Sequence, residues 1–150
     1  MTLPTQRKLA MLQAVLSSYF SQNKYQSLAL LIFRVAMGLG MMFHGVSKIQ
    51  NPFGWMGPDT PAILQALAAL SEFGGGIAVA LGLLTPLAAL GILCTMGVAM
   101  GMVHIPAGHP FVSNGGPSNE PAAWYFVSAL LMIAIGPGKF SLDYLLLNRK

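Results

Sequence analysis

The stretch LALLIFRVAMGLGMMFHGVSKI, residues 28–49, decides the fold. As a helix rising about 1.5 Å per residue, it is long enough to cross a hydrocarbon core roughly 30 Å thick. Yet it carries Arg34, His44 and Lys48. At about 100° per residue, Arg34, Met41, His44 and Lys48 fall within an arc of about 80° on one helix face. A charge facing lipid is costly, so this stripe is expected to face protein or a wet cavity. The other segments matter for what they bring to it.

The whole chain shares this character. Of its 150 residues 55% are hydrophobic and 8% charged, with a mean hydropathy of +0.65. Soluble domains carry roughly 25% charged residues, so this chain has too few to coat a water-facing surface. Its 17 glycines and 10 methionines suit packed membrane helices. The length fits one small domain. The net charge of +4 does not mark a nucleic-acid binder, because the basic residues form no cluster and lie towards the chain ends. Cys94 is the single cysteine, which excludes an intrachain disulfide and a Cys-x-x-Cys pair, and its apolar neighbours predict a packed thiol.

Residues 1–27 are too polar to span a membrane and lack a signal-peptide pattern. Leu9, Leu12, Leu16, Tyr19 and Phe20 recur at helical spacing, predicting an amphipathic segment on the membrane surface. Spans follow at about 28–49, 62–84, 86–105 and 122–137. The fold class is therefore all-α, an integral membrane four-helix bundle over 28–144, ending in a basic tail at 145–150. Asn51 to Pro61 breaks the first two spans, with Trp55 as an interfacial aromatic, and Thr85-Pro86 makes a tight turn. A Gly/Pro/Ser/Asn-rich loop, 106–121, contains His109 and is expected to be solvated. Gly136-Pro137-Gly138 ends the last span, and Ser141-Leu-Asp143 reads as the cap of a final short helix. Gly74, Gly75 and Gly76, and Gly97 with Gly101, are expected at helix contacts. Arg7, Lys8, Lys24, Lys139, Arg149 and Lys150 flank the side that holds both termini. The positive-inside rule then puts both termini in the cytoplasm and the two long loops outside.

Helical rise converts position into depth. Arg34 lies roughly 9 Å, and Glu72 roughly 14 Å, from the cytoplasmic side, predicting a buried ion pair between them. By the same count His44, Lys48, His104 and Glu120 reach the outer third, where a four-helix bundle can direct them into one outward-facing pocket. Trp124 and Tyr125 fit either an interfacial belt or a wall of that pocket.

These residues resemble a known family. Arg34 with Met-Gly-Leu-Gly-Met-Met-Phe-His44-Gly-Val-Ser-Lys48 resembles the first-helix signature of the DoxX family. Glu72-Phe-Gly-Gly-Gly with Leu81-Gly-Leu-Leu-Thr-Pro86 resembles its second-helix signature. Glu120, and Gly136-Pro137-Gly138-Lys-Phe-Ser141-Leu142-Asp143, resemble its last helix and closing motif. The resemblance covers about residues 28–144. It implies a multi-pass protein of the inner (plasma) membrane. The family takes its name from a membrane subunit of a thiosulfate:quinone oxidoreductase, and some relatives are associated with thiol-redox or oxidative-stress systems. A shared fold does not by itself fix a function.

Three functions fit these residues. The leading one is an accessory subunit of a quinone- or thiol/sulfur-linked membrane redox system. His44 would hydrogen-bond a quinone carbonyl, Lys48 would stabilise the charge that develops on reduction, and Glu120 or His104 would carry protons. Quinone is then the cofactor, and a redox-enzyme partner supplies the electrons, since the chain has no dithiol or flavin motif. The second is a metal or haem carrier, with His44 and His104 as bis-His ligands or joined by Glu120 around a divalent ion. The third is a small transporter or membrane scaffold, lined by Arg34, Glu72 and Gly74–Gly76 and assembled as a homo-oligomer through Gly97 and Gly101. All three require the lipid bilayer as a partner, and none involves nucleic acid.

Overall fold

The computed structural model describes residues 21–147, together with Thr5, Arg7, Lys8, Met11 and Ala14 ahead of them. Most of the expected surface segment at 1–27, and residues 148–150 of the basic tail, lie outside the described residues. The first helix, α1, spans Lys24–Gln50. It starts earlier than the apolar run because Asn23 and Gln26 form a capping box. The Asn23 side chain accepts from the Gln26 N–H, and the Gln26 side chain accepts from the Asn23 N–H, both at 2.9 Å. Hydropathy marks where a helix turns apolar, whereas the cap marks where it begins.

Helix α2 spans Ala62–Leu81, α3 spans Thr85–Val98, and α4 spans Glu120–Ile135. Helix α3 runs on as a π-helical stretch, Ala99–His104, and α5 is the short Leu142–Leu147. No strand occurs among the described residues. Three helices are long and apolar enough to cross a membrane: α1, α2, and α3 with its extension. The fourth, α4, has 16 residues and reaches roughly 24 Å. Helix α2 ends three residues before the expected 84 because Gly82 turns left-handed, with φ +67°. A side chain there would also meet the Arg34 guanidinium and Ser141.

Helices α1 and α2 run antiparallel with their backbones in contact. A Cβ at Gly38 would meet the Gly76 carbonyl oxygen at 2.5 Å, and one at Gly45 would strike the Phe73 backbone. The register is therefore fixed: Gly38 faces Gly76 and Ala80, while Gly45 faces Glu72 and Phe73. The triple-glycine run divides its contacts. Gly76 meets α1, Gly75 meets Ala88 and Ile92 of α3 at 3.6 Å, and Gly74 has only Leu70 of its own helix nearby. Gly97 packs against Phe126 of α4, whereas Gly101 has nothing within 4 Å.

Met37, Met41, Met96 and Met132 join Val79, Ala89, Ile92 and Ala129 in the core, where unbranched thioethers fill irregular gaps between helices. The outer faces are apolar too, with Ile32, Leu67, Leu87, Leu90 and Leu130 exposed. That is the surface a bilayer solvates. Cys94, expected as a packed thiol, is exposed instead.

Candidate functional site

Lys48 sits in the last turn of α1, where the helix C-terminus favours a cation. Its Nζ donates to Glu72 Oε1 at 2.6 Å, with the Glu72 side chain 2% exposed and that of Lys48 24%. The same Nζ lies 4.5 Å from the centroid of the Trp55 ring, a cation–π contact. Trp55 is more than an interfacial anchor, because its Nε1 donates to the Gln65 carbonyl at 3.0 Å. The buried Gln65 side chain in turn ties down the loop. It accepts from the Met56 N–H at 2.7 Å and donates to the Gly57 and Thr60 carbonyls, each at 2.8 Å. Sequence reasoning missed Gln65. The signal was present, since it is a lone amide two turns before Glu72 on the same helix face.

Beside this pair lies a cavity of about 250 Å³. Its polar wall is formed by His44, Lys48, Glu72, His104, Ser118 and Tyr125, and its apolar part by Met41, Met96, Ala99, Pro121 and Ala122. Glu72 Oε2 is buried and has no hydrogen-bond partner among the described residues. Buried carboxylate oxygens are seldom left so. His44 is exposed and meets Tyr125 edge-on, with ring centroids 5.5 Å apart and an interplanar angle of 82°. Gly40, one turn earlier, leaves the space that the Tyr125 phenol fills.

The π-helical stretch delivers His104 to this cavity, and such insertions recur at functional sites. His104 Nδ1 lies 3.0 Å from His109 Nδ1, so one ring donates a proton and the other accepts it. The His109 N–H also donates to the His104 carbonyl at 3.0 Å. His109, expected in a solvated loop, is thus a half-buried partner of His104. No group of three or more His, Cys, Asp or Glu among the described residues is arranged to hold a metal ion.

The cavity brings together four of the pocket residues expected from sequence, His44, Lys48, His104 and Tyr125, and adds Glu72. Glu120 and Trp124 stand outside its wall. Trp124 is 63% exposed on the outer face, and Glu120 opens α4 with its backbone N–H donating to the Phe111 carbonyl.

The expected Arg34–Glu72 pair does not form. Depth counting assumed that α1 and α2 start from a common level, but α1 overruns the end of α2. Its first turns pack against the closing segment instead, with Gly138 beside Ser27 and Leu30. Glu72 is level with Gly45, which lies about three turns, or roughly 16 Å, beyond Arg34. Arg34 Nη2 donates to the Phe140 carbonyl at 2.6 Å and Nη1 to the Pro137 carbonyl at 3.3 Å. Asp143 is the nearby acidic residue, but beyond salt-bridge distance. The Asp143 carboxylate accepts from the Leu84 and Thr85 N–H groups at 2.7 and 2.9 Å, capping α3. Ser141, whose Oγ accepts from the Tyr144 N–H at 3.1 Å, caps α5.

Apolar helices packed through glycines, around a cavity with an ion pair in its wall, define a helical integral membrane protein with an internal polar site. The chain belongs to the DoxX family, whose model matches residues 29–105. That match includes Arg34, His44, Lys48, Glu72 and His104, and it ends before α4 and the closing segment. No curated protein and no solved structure matches the chain.

Proposed function

We propose that this protein is an accessory subunit of a membrane redox system, and that its cavity holds the headgroup of a quinone. The observation that carries this is the Lys48–Glu72 ion pair in the wall of a cavity between apolar helices. Lys48 uses one donor on Glu72 and keeps others for an oxygen that gains negative charge on reduction. His44 and Tyr125 are hydrogen-bonding groups at the rim, and the His104–His109 contact is a short path for a proton. Glu72 takes the acid–base place that sequence reasoning gave to Glu120. Met41, Met96 and Ala122 suit a planar ring, while the isoprenoid tail would remain in lipid. Electrons come from a partner protein. The distribution of Lys and Arg supports an inner-membrane orientation with both termini cytoplasmic and the cavity towards the outer side.

The test is gentle-detergent purification of the wild type and of Lys48→Gln, with solvent extraction of bound quinone. Near-stoichiometric quinone in the wild type and about a tenfold lower content in the variant are expected. Equal, trace amounts in both would rule the proposal out.

A further inference from the structure

We infer that the Glu72 carboxylate selects the hydroxyl-bearing form of its ligand, so that the cavity takes phenols and quinols in preference to the matching ethers and quinones. The aromatic class of ligand rests on the proposed quinone site, whereas the preference for a donor rests on Glu72 alone. Glu72 is 2% exposed, lines the cavity, and spends Oε1 on Lys48 at 2.6 Å. Its Oε2 has no partner among the described residues. A carboxylate in an ion pair only accepts hydrogen bonds. Tyr125 and His44 can each donate or accept, so they adapt to either form of a headgroup. Glu72 cannot.

No protein group among the described residues satisfies Oε2, so a ligand in the cavity that offers it a donor gains a charge-assisted hydrogen bond that a ligand without one cannot make. A phenolic or quinol O–H supplies it. A quinone carbonyl or an aryl ether presents lone pairs to lone pairs. Because Lys48 already balances the charge of Glu72, the matching ligand is neutral. Glu72→Gln reverses the logic. Lys48 Nζ, a donor, keeps the amide oxygen on its own side, and the amide NH2 takes the place of Oε2. The variant should therefore favour a carbonyl.

The experiment uses the full chain in nanodiscs, in a Trp124→Phe background that leaves Trp55 beside Lys48 as the fluorescent reporter. The probes are 4-hexylphenol against 4-hexylanisole, and a short-chain benzoquinol against its quinone, each corrected for partition into protein-free nanodiscs. Donor forms should bind at least about tenfold tighter to the wild type, the worth of one hydrogen bond to a charged group, and the order should invert in Glu72→Gln. Equal binding of phenol and ether overturns the inference, as does an unchanged preference in the variant. If both redox forms bind equally, the quinone site stands and the selection by Glu72 fails. If phenol beats ether while neither redox form binds, Glu72 stands and the quinone proposal fails. If no probe binds, both fail. Should Glu72→Gln not fold, the phenol/ether ratio of the wild type decides alone.

Discussion

At one end of the bundle a buried guanidinium is closed off by the chain's own backbone, and at the other a buried carboxylate is left half satisfied beside a cavity. Around Arg34 the closing segment brings the Pro137 and Phe140 carbonyls to the guanidinium, and both oxygens of Asp143 are spent on the N–H groups of Leu84 and Thr85. Around Glu72 one oxygen has Lys48, the other has no partner among the described residues, and about 250 Å³ of space adjoins them. Both ends face the same problem, a charge that lipid will not solvate. One end meets it with the carbonyls of the closing segment, which leave only Arg34 Nε without a partner among the described residues, and the other adjoins a cavity. Buried charge is therefore tied to the backbone at the Arg34 end, and at the Lys48 end it borders the cavity proposed to hold a ligand.

The strongest way to break this contrast is Arg34→Met. It leaves the Pro137 and Phe140 carbonyls without the guanidinium, at a cost of about 1–3 kcal/mol for each buried acceptor. Thermal unfolding in detergent should show a lower midpoint than for Lys48→Gln, whose amide still offers a donor on the Glu72 side. Equal losses would mean that the two ends are not different in kind. Next comes Gly38→Ala, which forces apart two touching backbones and should cost about 1–3 kcal/mol. Gly101→Ala, with nothing within 4 Å, serves as its control and should stay within about 0.5 kcal/mol. Asp143→Asn keeps one acceptor for the start of α3 and loses the other, for about 1 kcal/mol, read from the same melts.

How legible these ends were in the sequence differs for physical reasons. The spans and the stripe through His44 and Lys48 followed from hydropathy and a 3.6-residue period, because both are local. Of the four residues counted to a similar depth, His44, Lys48 and His104 line one cavity and Glu120 does not, because depth leaves helix rotation open. The partner of Arg34 was not local. It depended on α1 overrunning α2, which is set by where Gly38 and Gly45 allow backbone contact, not by either helix's own length. Asp143 looked like the cap of its own helix and caps α3 instead, because the segment from Gly136 folds back across the bundle end. Gln65 was overlooked, and His109 was placed in solvent, because a single polar residue gives no pattern to read. Their roles appear only when the loops they hold are in place.

The smallest effect on the folded state, and the sharpest on the contrast, is expected from Lys48→Met with Glu72→Gln. Replacing a buried ion pair by neutral groups of similar shape is often close to neutral, so the double variant should melt within about 0.5 kcal/mol of the wild type. Each single change should cost more, because each leaves one charge without its partner. Ligand retention should nonetheless be lost in the double variant, since the charge of Lys48 and the acceptor of Glu72 are both gone. The matching experiment at the other end, Arg34→Met with Asp143→Asn, should not recover stability. There the groups left behind are the Pro137 and Phe140 carbonyls, which no substitution removes. A pair of side chains can be neutralised together, but a side chain bonded to the backbone has no complementary change. If the Arg34 double variant were rescued as fully as the Lys48 one, the closing segment would be a cover rather than a lock.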